Sequence, residues 1–374
     1  MRIRAAVAES TTEPLAVQEL ELDEPRADEI LVRMVAAGIC QTDAHAWHQR
    51  IPSPLPLVLG HEGAGVVERV GPAVTGLEPG DHVVLSFQAC GRCDQCLSGH
   101  PAYCDQAFAA NFSGARLDGS EGVHRTEDAA GEAGKVHGHF FGQSSFATHA
   151  LTTQRNTVKV DKDVPLELLA PLGCGLQTGA GSVLNSFDVP AGGSLAVFGV
   201  GAVGFGALMA ARTAGAATII AVDVNPRRLA LAEELGATHT IDATGTDVAA
   251  AIRDITGSGV GHVLDTTGRA DMLTQAVASL APMGQVGLVA GAAPDAAVPP
   301  AELALGKSVR GIVQGDAVPQ LFIPKLVELY RSGRFPVDRL VRFYDFDDIN
   351  TAFADAARGD VVKPVLRIAD TAAE

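Results

Sequence analysis

Positive charge is scarce in this chain of 374 residues: Lys and Arg number 28 against 44 Asp and Glu, a formal net charge of -16. Such a surface repels phosphate backbones and anionic headgroups, which excludes nucleic acid and membrane surfaces as main partners. The opening MRIRAAVAES has no long apolar run and does not read as a secretory signal, so the chain is expected in the cytoplasm. Long hydrophobic runs are nearly absent. The exception, Val189–Ala211, is uncharged and long enough for a bilayer span. It is interrupted by Gly192, Gly193, Gly199, Gly201, Gly204 and Gly206 and reads better as strand, turn and buried helix. Aromatic residues are few, 5% of the chain with one Trp and three Tyr. What is plentiful is glycine, 41 residues with no short repeat period, which must serve turns and close backbone approaches. The length suggests two domains, or three, and a core that needs no disulfide staple.

There are six cysteines. Without a secretory signal they are expected to be reduced. Cys90, Cys93, Cys96 and Cys104 form C-x2-C-x2-C-x7-C in a polar, turn-compatible stretch. Four thiolates at such spacing suit one tetrahedral zinc with no open position, hence a structural site. An iron–sulfur cluster is the rival, because it also takes four thiolates. Cys40 lies in AAGICQTDAHAWH, His61 and Glu62 in PLVLGHEGAGVV, and Cys174 in PLGCGLQTGAGSV. Two Cys and one His make a three-ligand zinc site whose fourth position is free for water or substrate.

SLAVFGVGAVGFGALMAARTAGAATIIAVD carries G-x-G-x-x-G at Gly199, Gly201 and Gly204. Its context makes it informative: a β-rich run Ser194–Phe198 before it, a helix-favouring run Ala202–Ala214 after it, then a buried strand ending at Asp223. The first glycine permits the tight turn, the second admits a pyrophosphate, and the third lets helix and strand pack closely. The phosphates would sit at the helix N-terminus, and Asp223 would accept from the ribose. A carboxylate there repels a 2′-phosphate, so NAD is the expected cofactor, although Arg227 and Arg228 follow closely.

The fold class expected is α/β: a barrel-like, β-rich catalytic domain plus a doubly wound parallel-sheet (Rossmann) nucleotide-binding domain. Residues 1–100 show short alternating runs with frequent Gly and Pro, and 105–138 read as a long polar surface loop. From about residue 168 strands alternate with helices, and the tail DVVKPVLRI reads as a closing strand. The boundaries are set at 1–168 with 313–374 for the first domain and 169–312 for the second.

Taken together, C-x-T-D-x-x-H (Cys40, Thr42, Asp43, His45), GHEGAGVV, the four-cysteine stretch, GCGLQTGAGSV, GVGAVG and KPVLRI occur in this order nearly end to end. The chain resembles the zinc-dependent medium-chain alcohol dehydrogenases, and GHFFGQSSFATHAL resembles the aryl and benzyl alcohol dehydrogenase subgroup. The resemblance implies a catalytic zinc on Cys40, His61 and Cys174, with Glu62 as a transient ligand. A second, structural zinc would sit on Cys90, Cys93, Cys96 and Cys104. Asp43 would orient the His61 imidazole. Val203 would pack on the nicotinamide, with Thr178, Arg228 and Lys363 near the cofactor. One departure is Gln41, where many relatives have an Arg that contacts pyrophosphate. A charge-assisted hydrogen bond of ~1.5–3 kcal/mol is replaced by one worth roughly half as much, so cofactor would bind more weakly.

The reaction implied is reversible oxidation of a primary alcohol to the aldehyde. Thr42 would take the alcohol's proton and His45 would deliver it to solvent. Trp47, Phe87, Phe140 and Phe141 are expected around the substrate, with Thr267 and Ile312 further out, favouring aryl or allylic alcohols. The rival readings are a dedicated biosynthetic reductase, a thiol-dependent formaldehyde dehydrogenase, and a zinc- and nucleotide-binding protein without catalysis. Relatives pair through strands of the nucleotide domain, where residues 295–318 stand here, so a homodimer is expected and a tetramer is the alternative.

Overall fold

Alternating apolar residues in the first third of the chain pair into antiparallel strands. In the computed structural model, which describes residues 1–126, 135–291, 293–294 and 296–369, strand Arg2–Ala8 runs between Ala16–Leu22 and Leu57–Val58. Val123–Arg125 closes this sheet on the far edge of Ala16–Leu22. A second sheet has Glu29–Gly38 at its centre, buried at nearly every position. Its neighbours are Gly63–Val70, His149–Thr153 and the C-terminal strand Lys363–Arg367, all antiparallel to it.

The register of that central strand builds the site. Ala37 faces Gly63 on one side and Leu366 on the other. The Gly38 amide donates to the Glu62 carbonyl at 2.9 Å, and that of Ile39 to the Pro364 carbonyl at 3.0 Å. Cys40, His61, Glu62 and Lys363 therefore lie at the ends of three adjacent strands.

The second unit is a six-stranded parallel sheet in the order His239–Asp242, Thr218–Asp223, Ser194–Phe198, Val260–Asp265, Leu280–Leu288, Ser308–Gly311. Numbered from its first strand this is 3-2-1-4-5-6, the doubly wound dinucleotide-binding order. Helices Ala202–Ala214, Pro226–Leu235, Val248–Thr256 and Ala270–Ala278 connect the strands. Val189–Ala211 thus spans the first strand, the glycine turn and most of the first helix. No helix among the described residues is long and apolar enough to cross a membrane.

The chain divides into Met1–Cys174 with Val318–Glu374, and Gly175–Ala317. These divisions lie a few residues beyond 168 and 312, for a local reason. The Gly173 carbonyl accepts from Ser86 Oγ at 2.7 Å, which keeps the turn Ala170–Gly173 on the first unit. Gln177 Nε2 donates to Gln314 Oε1 at 3.1 Å, which keeps the turn Gln314–Asp316 on the second. The expected loop 105–138 is also less irregular than it read. It contains helix Ala107–Phe112 and strand Val123–Arg125, while its residues 127–134 lie outside the described residues.

Candidate active site

Asp43 organises the first unit's polar centre. It sits in the first turn of helix Gln41–Trp47, which starts at Cys40, and its side chain is fully buried. One oxygen accepts from the Cys40 amide at 3.0 Å. The other accepts from the Gly60 amide at 3.1 Å and lies 2.8 Å from His61 Nδ1. With Nδ1 paired to Asp43, Nε2 is the nitrogen left to serve as a ligand atom. That Nε2 is buried and has no hydrogen-bond partner among the described residues. Cys40, His61, Glu62 and Cys174 bring their ligand atoms within 4.8 Å of one another.

An unpartnered imidazole nitrogen facing two thiols is costly unless something binds it. A hydrogen bond from Cys174 pulls the Cys40 thiol well below its ordinary value, helped by His61 and Lys363 and against its burial. Burial pulls the His61 imidazole down, but Asp43 and Cys40 outweigh it and raise it to about 10, so without a metal the ring keeps a proton that a zinc ion would displace. Two thiols and an imidazole, with a carboxylate behind them, make a soft, largely buried donor set that fits a zinc ion.

Glu62 stands behind it. Burial raises its carboxyl to about 7 even though Lys363 opposes this. The Lys363 ammonium contacts both Glu62 oxygens at 3.0 and 2.8 Å and donates to the Ile39 carbonyl at 2.9 Å. Lys363 was expected near the cofactor. In the structure it is 2% exposed and its charge is taken up by Glu62. A Cβ on Gly38 would lie 2.2 Å from Glu62 Oε2, so only glycine leaves room for that carboxylate.

Thr42 Oγ1 is 3.7 Å from Cys40 Sγ. His45 lies three residues on in the same helix, half-buried. Burial and Arg50 hold its pKa below 6.5 against the pull of Cys40.

Of the four rings expected around the substrate, the structure brings two to His61. Phe141 stacks on it at 4.4 Å, and Phe140 meets it edge-on at 5.6 Å. The Trp47 ring packs on Phe353, and its Nε1 donates to the Ser10 carbonyl, the acceptor such a buried N–H needs. Phe87 is buried and lines a cleft beside Cys90 and Cys96. Thr267 and Ile312 belong to the other unit, where Thr267 donates to Asp265 and Ile312 is buried.

Sequence reasoning missed Gln143. Its Nε2 donates to the His61 and Ser86 carbonyls at 3.0 Å, and its Oε1 accepts from the Gly63 amide. A lone Gln carries no sequence signal, but its place two residues after Phe141 in a glycine-flanked run could have flagged it.

Cys90, Cys93, Cys96 and Cys104 also bring their sulfurs within 4.8 Å of one another. The amides of Cys90 and Gln106 point at Cys104 Sγ, both at 3.3 Å, a cradle suited to a thiolate. The backbone amide of Arg92 is the main cause that lowers Cys90 to about 6.

In the second unit Gly199 has φ +86°, and a Cβ on Gly204 would lie 2.3 Å from the Gly199 carbonyl oxygen. Among the described residues a Cβ on Gly201 would meet nothing within 4 Å, which leaves an open approach to the amides of the helix N-terminus. Asp223 accepts from the Val200 amide at 2.7 Å on one oxygen and from the Val224 and Asn225 amides on the other. Arg228 Nε is buried without a partner among the described residues. Val203 and Thr178 sit on two helices in close contact: a Cβ on Gly179 would lie 1.9 Å from the Val203 carbonyl oxygen.

A nucleotide-type sheet joined to a β-rich unit with a buried thiol–imidazole cluster defines a metal-dependent dehydrogenase. The Alcohol dehydrogenase GroES-like domain family matches residues 26–162 and the Zinc-binding dehydrogenase family residues 202–331. The chain is 49% identical to a geraniol dehydrogenase of Castellaniella defragrans over 369 residues, 97% of each chain. Its fold is similar to that of benzyl alcohol dehydrogenase from Acinetobacter calcoaceticus, with a TM-score of 0.94 and 47% identity, covering 99% of this chain and 100% of that one. It is equally similar to an alcohol dehydrogenase zinc-binding domain protein from Burkholderia ambifaria, with a TM-score of 0.95 and 52% identity at the same coverage. The chain belongs to the zinc-dependent medium-chain alcohol dehydrogenase family.

Proposed function

We propose that the chain catalyses the reversible, NAD-linked oxidation of a primary aryl or allylic alcohol to its aldehyde. The observation that carries this reading is the His61 imidazole. Asp43 pins one nitrogen, the other is orphaned among Cys40, Cys174 and Glu62, and an aromatic ring lies flat against its face. When bound, zinc on Cys40, His61 and Cys174 supplies a Lewis acid for the alcohol oxygen, and the nicotinamide supplies a hydride acceptor. The chain's own residues do the rest. Thr42 Oγ1 accepts the alcohol's proton as its own hydroxyl proton leaves toward the half-buried His45, which passes it to solvent. Asp43 keeps His61 in one tautomer. Phe140 and Phe141 form an apolar wall beside the imidazole that a planar ring or a double bond fills better than a methyl group does.

The NAD reading is supported by the Asp223 carboxylate. Its three amide bonds leave an acceptor direction on the oxygen that Val200 uses, enough for a ribose hydroxyl, and its charge opposes a phosphate. Cys90, Cys93, Cys96 and Cys104 would hold the second zinc. The exposed edge strand Ser308–Gly311 is the surface we assign to a homodimer, to be checked by solution mass.

The substrate reading is tested by steady-state kinetics over benzyl, cinnamyl and short aliphatic alcohols, with NAD and NADP. Benzyl or cinnamyl alcohol should exceed ethanol in kcat/KM by at least about tenfold, ~1.4 kcal/mol of transition-state binding. Parity with ethanol would contradict it.

A further inference from the structure

The rings around His61 continue one residue beyond those the sequence pointed to. Helix Ala107–Phe112 brings the Phe112 ring edge-on to both Phe140, at 5.8 Å, and Phe141, at 5.1 Å. Phe140 and Phe141 also meet edge-on, at 5.0 Å. Phe141 has φ +55°, a left-handed backbone that costs an L residue about 1–2 kcal/mol, so its placement has to be enforced. Asn156 Nδ2 enforces the backbone by donating to the Phe141 and Gly142 carbonyls at 3.3 and 2.9 Å. The ring itself is held between His61 on its face and the rings of Phe112 and Phe140. Edge-to-face pairs are worth ~0.5–1.5 kcal/mol each beyond area burial, enough to decide between two ring positions. On its other side Phe112 meets Phe108 at 5.3 Å, a ring 57% exposed.

We propose that Phe112 is a positioning residue for the reaction: it wedges Phe141 flat against His61 and so fixes the wall on which the alcohol's apolar part lies. The proposal deepens the aryl or allylic reading given above, but the coupling it asserts between Phe112 and Phe141 holds for whichever alcohol proves best.

The test is a double-mutant cycle on kcat/KM for that best alcohol, using Phe112→Ala, Phe141→Ala and the pair, with zinc content and Tm measured on each. Each single change should lower kcat/KM about fivefold or more, mainly through KM, with zinc content unchanged. The double variant should match Phe141→Ala within about twofold, because the wedge has nothing left to hold. Phe112→Leu, which refills most of the space and guards against a folding defect, should restore most of the loss. Losses that multiply in the double variant, wild-type kcat/KM in either single variant, or zinc loss from Phe112→Ala would each overturn the proposal. A wild-type enzyme indifferent between benzyl alcohol and ethanol contradicts the substrate reading alone and leaves the cycle readable.

Discussion

At the scale of single residues, the partner each polar atom already has decides what its loss does. Asp43 receives three donors, and one of them is the imidazole. Asp43→Ala should free both the ring and the helix start, and should lower zinc affinity or kcat/KM by about 10–100-fold, the usual cost of losing such an orienting carboxylate. A zinc titration and steady-state kinetics check this. In the proposed relay Thr42 precedes His45, so their losses should differ. Thr42→Ala should lose about a hundredfold or more in kcat. His45→Gln should lose roughly tenfold, with water partly replacing the base. Burial, with Arg50, holds His45 below its ordinary value, so it is a neutral base at neutral pH; the loss in His45→Gln should be largest there and shrink toward acid pH, where the wild type also loses the base, and toward alkaline pH, where hydroxide replaces it. Equal and total loss in both variants would contradict the order. Asp223→Gly should favour NADP relative to NAD. It should also lower Tm, because the same carboxylate fastens the Val200, Val224 and Asn225 amides. An unchanged cofactor ratio, read from kcat/KM with each cofactor, would contradict the assignment.

At the scale of elements, the stretch 138–146 is the one most dependent on its surroundings. His139, Phe141 and Ser144 have φ of +56°, +55° and +53°. Ser144 Oγ bridges the Phe140 amide and the Val58 carbonyl. His139 is buried, and burial followed by the Arg116 charge lowers it to about 4, with Arg26 acting in the same direction and Glu29 and Asp23 opposing. The unfolded chain therefore binds a proton that the folded one refuses between about pH 6.5 and 4, and stability falls as pH drops through that window, by about 3 kcal/mol from this residue. His139→Asn, which tolerates a left-handed backbone, should flatten the fall in denaturant-derived stability over that range. A slope identical to wild type would refute it.

Elements were also what the sequence disclosed best. The run Ser194–Phe198, the glycine turn and helix Ala202–Ala214 were legible because strand, turn and helix signals agree there. The start of helix Pro226–Leu235 is harder to read, because it depends on the Asn225 side chain accepting from the Arg227 amide. The thiol and imidazole ligand candidates were legible as motifs. The Lys363–Glu62 pair, the Gln143 bridge and the destination of Trp47 were not, because each is made by residues brought together only by strand register. The helix Ala107–Phe112 was hidden in a polar, glycine-rich neighbourhood.

At the scale of the whole molecule, one chain carries two metal-competent clusters with opposite characters. Cys90, Cys93, Cys96 and Cys104 are four like ligands on one local stretch. Cys40, His61, Glu62 and Cys174 are gathered from distant segments, and Lys363 from the closing strand completes their charge pattern. Loss of the first cluster should therefore be a stability defect and loss of the second a catalytic one. Cys93→Ser should release one zinc and lower Tm. The most direct measurement is zinc per chain, taken together with turnover and NAD binding, in wild type and in Cys174→Ser. The account predicts two zinc ions in the wild type. In the variant it predicts one zinc, no turnover, and a folded protein that still binds NAD. A wild type with one zinc or with iron, or a Cys174→Ser enzyme that keeps both its second zinc and its turnover, would contradict it.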